Sequence, residues 1–295
     1  MSGLRALVDD EGFRVALGCG LVLAFATVLA RRTGLARLGF GVALVGAALV
    51  GIDAALGIEG PVGSPRLLAA GLVALAVGAT LAARSRWPVA AAMAAVLPGA
   101  LLVAAAADGP VPDWARGLVL VAIVVAAPLT MAFDRAAPRF TAPLLAISAA
   151  GVYWTVPDTE QALPVLGAFL AVALLAADPA APPSPGGAAA AVGLLSWTAA
   201  VGGYGRPGSI VGAIACLGVP VLVPLVRRHP RLVGTRTALT VGAVQVATVA
   251  VASRVAGLRY SVAAAAAISI AALLAAGLVL SLVVPRRRNR RHAPP

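Results

Sequence analysis

The chain has 295 residues, of which 61% are hydrophobic and only 12% are charged. Its mean hydropathy of +0.97 is too high for a water-soluble domain with a polar surface, so the composition indicates an integral membrane protein. The formal net charge of +12 comes from arginines at the ends of apolar stretches, without interleaved aromatic residues, and we therefore expect no nucleic-acid partner.

Eleven apolar stretches follow one another along the chain, and each is predicted to be a transmembrane helix. Most of them cross the ~30 Å of bilayer hydrocarbon only as α-helices, which rise ~1.5 Å per residue. The predicted fold is therefore all-α, a polytopic helical bundle. Its spans cover approximately residues 13–30, 38–56, 67–83, 88–107, 117–133, 140–154, 162–177, 188–203, 209–226, 237–253 and 261–284.

The two shortest stretches, 140–154 and 162–177, are marginal in length. As an alternative to two crossings they form one re-entrant hairpin, which would leave nine full spans. The acidic residues between the two stretches favour two true crossings.

Arginines are concentrated at alternate breaks between the spans. Sixteen of them lie on the side that includes the carboxyl terminus, and seven lie on the other side. Because basic residues resist translocation, we expect the amino terminus outside, the carboxyl terminus inside, and a location in a bacterial cytoplasmic membrane. Among the acidic residues, only Asp134 and Asp178 are predicted on the inner side, in breaks between spans.

A segment rich in proline and glycine, DPAAPPSPGG at 178–187, is predicted to be a connector without regular structure. It divides a first helical part of about seven spans, 1–177, from a second part of about four spans, 188–285. A basic cytoplasmic tail, 286–295, follows. We expect both helical parts to pack into one membrane domain.

Asp53 is the one acidic residue predicted inside a span. An ionisable group in hydrocarbon is costly and is a candidate for an ion or substrate site. It also lies three residues from the predicted outer end, ~5 Å by helical rise, where it reaches headgroup water and an arginine such as Arg66. Both a substrate-binding role and a helix-end role are therefore open.

The outer segment YWTVPDTEQ, residues 153–161, is the densest polar and aromatic group in the chain. Asp158 and Glu160 are candidate general acid and base residues of a membrane-embedded transferase, beneath aromatic rings such as Trp154. A helix cap explains the same residues without a substrate. In that interpretation Pro157 ends one helix, Asp158 or its neighbour caps the next, and Glu160 lies near its positive end.

A second outer loop, residues 108–116, contributes the candidate substrate-binding residues Asp108, Asp113 and Trp114, and Trp154 of the first segment is a further candidate. Together with the other outer carboxylates they would give an outward cavity a negative potential that attracts a cation or a sugar. The alternative is an ordinary polar loop of a membrane protein.

Two features of the later spans are polar or irregular. Gln245, near the middle of 237–253, is a candidate substrate-binding residue, although a hydrogen bond between helices, of about 0.5–2 kcal/mol, is the preferred interpretation. Pro220 and Pro224 predict a kink in the span 209–226, because proline leaves backbone carbonyls without donors. Small residues on that helix, Gly212 and Cys216 among them, predict close helix packing.

No catalytic, nucleotide or metal motif stands out, so we expect no metal and no cofactor, and we prefer a role without enzymatic activity to an enzymatic one. The preferred hypothesis is a permease or flippase-like component for an apolar or lipid-linked substrate, because the spans hold no carboxylate at mid-depth. The alternatives are the transferase that acts through Asp158 and Glu160, and a non-catalytic subunit. The expected partners are membrane lipid and, for the last hypothesis, another membrane protein.

Overall fold

The structure is a computed structural model that describes residues 10–29, 40–56, 64–84, 89–107, 111–157, 160, 162–176, 184–226, 235–257 and 261–284. Within these ranges every regular element is an α-helix, which confirms the all-α class. In chain order the helices are α1 (Glu11–Leu29), α2 (Phe40–Leu56), α3 (Pro65–Arg84), α4 (Val89–Ala106), α5 (Asp113–Ala136), α6 (Pro138–Thr155), α7 (Ala162–Ala176), α8 (Pro185–Gly202), α9 (Pro207–Ala215), α10 (Gly218–Val226), α11 (Thr235–Gly257) and α12 (Val262–Val283).

Several helices have the length and composition of membrane spans. Among the described residues, α3, α5, α11 and α12 are long and apolar enough to cross a bilayer, and α9 with α10 adds a fifth if the bent pair is one span. The helices α2, α4 and α7 are apolar but shorter. These helices fit a multi-pass membrane protein, with four or five clear spans where the sequence predicts about eleven.

Helix α8 is the centre of the bundle. All of its residues from Gly186 to Gly202 are buried, and it contacts every helix from α2 to α7 and also α9. A helix that is apolar on all sides is typical of such a core position. Glycine is required at the closest approaches: a Cβ on Gly186 would lie 2.7 Å from Thr80 Oγ1, and one on Gly193 would lie 2.5 Å from Leu75 Cδ1.

The helix ends lie at two ends of the bundle, which we name the Asp113 end and the Asp134 end after the two ends of α5. At the Asp134 end, the start of α8 meets the end of α5 through a hydrogen bond between Ser184 and Asp134. At the Asp113 end, the Ser64 N–H before α3 donates to the Ala106 carbonyl at the end of α4, at 3.3 Å. A small apolar cluster at the Asp134 end, which includes Phe133, joins α5 and α6 to α10, α11 and α12.

The structure corrects three sequence predictions. The last residues of the 178–187 connector are helical, because Pro185 occupies the first turn of α8, where a missing N–H costs nothing. Helix α5 continues to Ala136, so Asp134 lies on the buried face of a helix and not in a break between spans. The predicted span 209–226 consists of two helices, and its kink is a complete interruption.

Candidate functional site

The interruption between α9 and α10 is the most unusual backbone feature of the described fold. Helix α9 ends at Ala215, α10 begins at Gly218, and the pair is bent by 48°. Pro220 explains why the helix stops: it has no N–H for the carbonyl of Cys216 four residues earlier, and its ring would collide with that carbonyl. The break therefore leaves the Cys216 carbonyl and the Val219 N–H without partners in their own helices.

Gln245 of α11 binds both of these backbone groups. Its Nε2 donates to the Cys216 carbonyl at 2.7 Å, and its Oε1 accepts from the Val219 N–H at 3.2 Å. The second hydrogen on Nε2 is donated to the Ser148 hydroxyl of α6 at 2.7 Å, and that hydroxyl donates to the Leu144 carbonyl at 3.2 Å. Gln245 is fully buried, so one uncharged side chain satisfies the break and ties α6, α9, α10 and α11 together.

Close packing surrounds the break. A Cβ on Gly151 of α6 would lie 2.7 Å from Cys216 Sγ and 2.8 Å from a methyl group of Val249. A Cβ on Gly212 of α9 would lie 2.8 Å from the Ala252 carbonyl of α11. The small residues predicted to allow close helix approach do so here, because a side chain at either glycine would displace a neighbouring helix.

A cleft of about 470 Å³ lies in another part of the bundle, between α2, α3 and the start of α8. Its walls are mostly aliphatic, with Val42 and Val45 on one side and Leu72 and Val77 on the other. Three wall residues of α3 are more than half exposed, namely Val73 (56%), Val77 (53%) and Leu81 (52%). The cleft therefore opens on the side of the bundle, where a membrane protein meets lipid.

One end of the cleft is polar and cationic. Arg84, the last residue of α3, is exposed and lines this end, together with Gly186 and Gly187 of α8. These two glycines lie in the first turn of α8, where backbone N–H groups have no acceptor within the helix and carry its positive dipole end. Thr80 is also at this end, and its hydroxyl donates to the Ala76 carbonyl at 2.7 Å.

Asp134 is a buried carboxylate that the sequence placed in a loop. It is 1% exposed, and its Oδ2 accepts from the Ser184 N–H at 2.5 Å, so that α5 supplies an N-terminal cap for α8. The side chain of Thr141 of α6 lies beside the same carboxylate. Asp134 follows Thr130 by four residues, and the two side chains share one buried face of α5.

The predicted outer residues are less enclosed. Asp113 begins α5 with a fully exposed side chain that pairs with Arg116 at 3.7 Å. Trp114 and Trp154 are 42% and 69% exposed. Asp53 is exposed on α2, and no ion pair joins it to Arg66 within the described part of the chain.

The predicted transferase pair is only partly described. Glu160 is exposed, whereas Asp158 and Asp108 lie outside the described residues. Asp53 and the start of α7 share one end of the bundle, because a Cβ on Gly51 would lie 2.9 Å from Cβ of Pro164. The transferase therefore stays a prediction, as does the outward cavity.

Among the described residues, no group of three histidine, cysteine, aspartate or glutamate side chains could hold a metal ion. Comparisons with known protein families, curated proteins and solved structures found no match to the chain. Two features of the structure therefore indicate a function: the interrupted helix that Gln245 binds and the apolar cleft that ends at Arg84.

Proposed function

We propose that this protein is a permease or flippase-like component of a membrane, which handles an apolar or lipid-linked substrate. The observation that carries the proposal is the interrupted helix α9–α10, whose free backbone groups are bound by a side chain from another helix. In transporters, discontinuous helices form the substrate site and separate the parts of the bundle that move.

The hydrogen bonds at the break are weak enough to be released when the helices around it move. Hydrogen bonds between membrane helices contribute about 0.6–1.7 kcal/mol each, so releasing the three bonds of Gln245 costs roughly 2–5 kcal/mol. An equilibrium between a closed and an open state accommodates a difference of that size. The groups that meet at the break are a carboxamide, a hydroxyl and backbone atoms, all uncharged, which suits a substrate without a charge at that depth.

We also propose a specific arrangement in the membrane. The α9–α10 pair counts as one bent span, and about eleven spans place the amino terminus outside and the carboxyl terminus inside a bacterial cytoplasmic membrane. If 140–177 is re-entrant, nine spans give the same orientation. The excess of arginine on the carboxyl-terminal side supports this orientation.

The experiment uses the purified protein in liposomes that carry a fluorescent phospholipid, with and without a proton or sodium gradient. A quencher that cannot cross the membrane measures how much labelled lipid moves from the inner to the outer leaflet, and parallel vesicles measure efflux of apolar solutes. We expect movement with the wild type and its loss in Gln245→Leu. Thr248→Val is the matched control, because Thr248 lies on the same helix and bonds only its own backbone, at the Val244 carbonyl.

Two results would overturn the proposal. The first is a wild-type protein that moves neither lipid nor solute under any gradient. The second is equal transport by wild type and Gln245→Leu, since the break would then have no part in movement.

A further inference from the structure

We infer that the cleft between α2, α3 and the start of α8 binds one acyl chain of an anionic phospholipid, with the lipid phosphate at Arg84 and the first turn of α8. This site lies apart from the helix break, and the inference goes beyond the proposed function: it holds whether the lipid is moved or only held. Its occupant follows from the dimensions, opening and charge of the cleft.

The length of the cleft matches one leaflet. Along α3 its lining runs from Leu72 to Arg84, a helical rise of twelve residues or ~18 Å. Half of the ~30 Å hydrocarbon core is ~15 Å. A chain in the cleft therefore reaches from the headgroup level at Arg84, at the end of its helix, to about the middle of the bilayer.

The width of the cleft selects a single chain. A volume of about 470 Å³ over ~18 Å gives a mean cross-section of ~26 Å², or a diameter of ~6 Å. An α-helix with its side chains is ~10–12 Å wide. A helix of a partner or of a second copy is therefore too wide to enter, whereas an extended aliphatic chain fits and reaches the cleft directly from the lipid.

The polar end of the cleft is complementary to a phosphate. The Arg84 guanidinium supplies a positive charge that does not titrate, and the first-turn N–H groups of Gly186 and Gly187 supply donors at the positive end of α8. Asp134 accepts from Ser184, the residue that precedes this turn, and not from either of the two glycines that line the cleft. Cationic and amide donors at the headgroup level favour an anionic lipid over a zwitterionic one.

The test is native mass spectrometry of the full-length protein titrated with phosphatidylglycerol or with phosphatidylcholine of the same chains. We expect the wild type to retain one phosphatidylglycerol in preference to phosphatidylcholine. Arg84→Gln should weaken phosphatidylglycerol binding about fivefold and leave phosphatidylcholine binding unchanged. Its control is Arg236→Gln, which removes an exposed arginine of α11 outside the cleft lining.

A second variant fills the cleft without entering the protein core. Val77→Trp adds an indole at a half-exposed wall position and should abolish the tightly bound lipid, whereas Leu274→Trp, on the exposed face of α12, should not. Equal binding of the two lipids by the wild type, or equal phosphatidylglycerol binding by the two tryptophan variants, would overturn the inference. Transport and binding are separate readouts, so loss of either one alone identifies which of the two proposals fails.

Discussion

The carboxylate of Asp134 accepts the backbone N–H of Ser184 at 2.5 Å, across fifty residues of sequence. This contact fixes the end of α5 against the start of α8, the buried helix at the centre of the bundle. It also places a negative charge at the positive end of a helix dipole, where the interaction is favourable.

Replacing Asp134 with alanine should lower the free energy of unfolding by about 1–3 kcal/mol, because the Ser184 N–H loses its acceptor inside the bundle. Asp134→Asn keeps an acceptor oxygen and should cost less. The measurement is thermal unfolding in detergent. Asp113→Asn is the control on the same helix, since its exposed ion pair contributes little. Equal unfolding temperatures for Asp134→Ala and Asp113→Asn would show that the Asp134 contact is not stabilising.

A double-mutant cycle measures the bond between Gln245 and Ser148. We expect Gln245→Ala to be the more damaging change, because it also leaves the Cys216 carbonyl and the Val219 N–H unbound. Ser148→Ala removes one partner only. The coupling energy of the pair should be about 0.6–1.7 kcal/mol, measured from unfolding of the four proteins. A coupling energy of zero would mean that the two side chains do not interact in solution.

Pro220→Ala should partly rescue the Gln245→Ala variant. Alanine at position 220 restores an N–H that can bond to the Cys216 carbonyl, so the helix supplies the donor that Gln245 supplied before. Pro224→Ala in the same background is the control, because its carbonyl partner is that of Pro220 and not that of Cys216. If Pro220→Ala with Gln245→Ala unfolds as easily as Gln245→Ala alone, proline does not cause the break.

The proposed orientation predicts the behaviour of fused reporters. A reporter that is active only in the cytoplasm should be active when fused after His292, because the arginine-rich side of the protein remains inside. A reporter that is active only outside the membrane should be active at the amino terminus. The reverse pattern would contradict the orientation and leave the helical fold unaffected.

Composition and residue spacing predicted the helical class, and the prolines predicted irregularity between 209 and 226. Gln245 was correctly expected to hydrogen-bond between helices. Its simultaneous binding of both sides of the break was not predictable, because the break and Gln245 lie on different helices whose register only the folded bundle sets. The cleft was hidden for the same reason: Gly46, Val77 and Gly186 meet there from distant parts of the chain.

Two errors of the sequence analysis share a physical cause. Hydropathy falls at Asp134 and Arg135. A loop and a polar residue buried near a helix end produce the same fall, so hydropathy does not distinguish between them. Likewise, local composition predicts a linker at Pro185 and Gly186. Proline is tolerated in the first turn of a helix, so Pro185 can begin α8. Gly186 is required because a Cβ there would collide with Thr80. Contacts with other helices therefore outweigh the preference of both residues for a loop.

The complete enclosure of α8 has a consequence for biogenesis. This helix offers no side to lipid, and it is not among the helices whose own apolarity and length suffice for a span. Its final position therefore depends on the helices that enclose it, among them α3 and α5, which precede α8 in the chain. A chain that ends before residue 185 lacks the axis around which its remaining helices assemble.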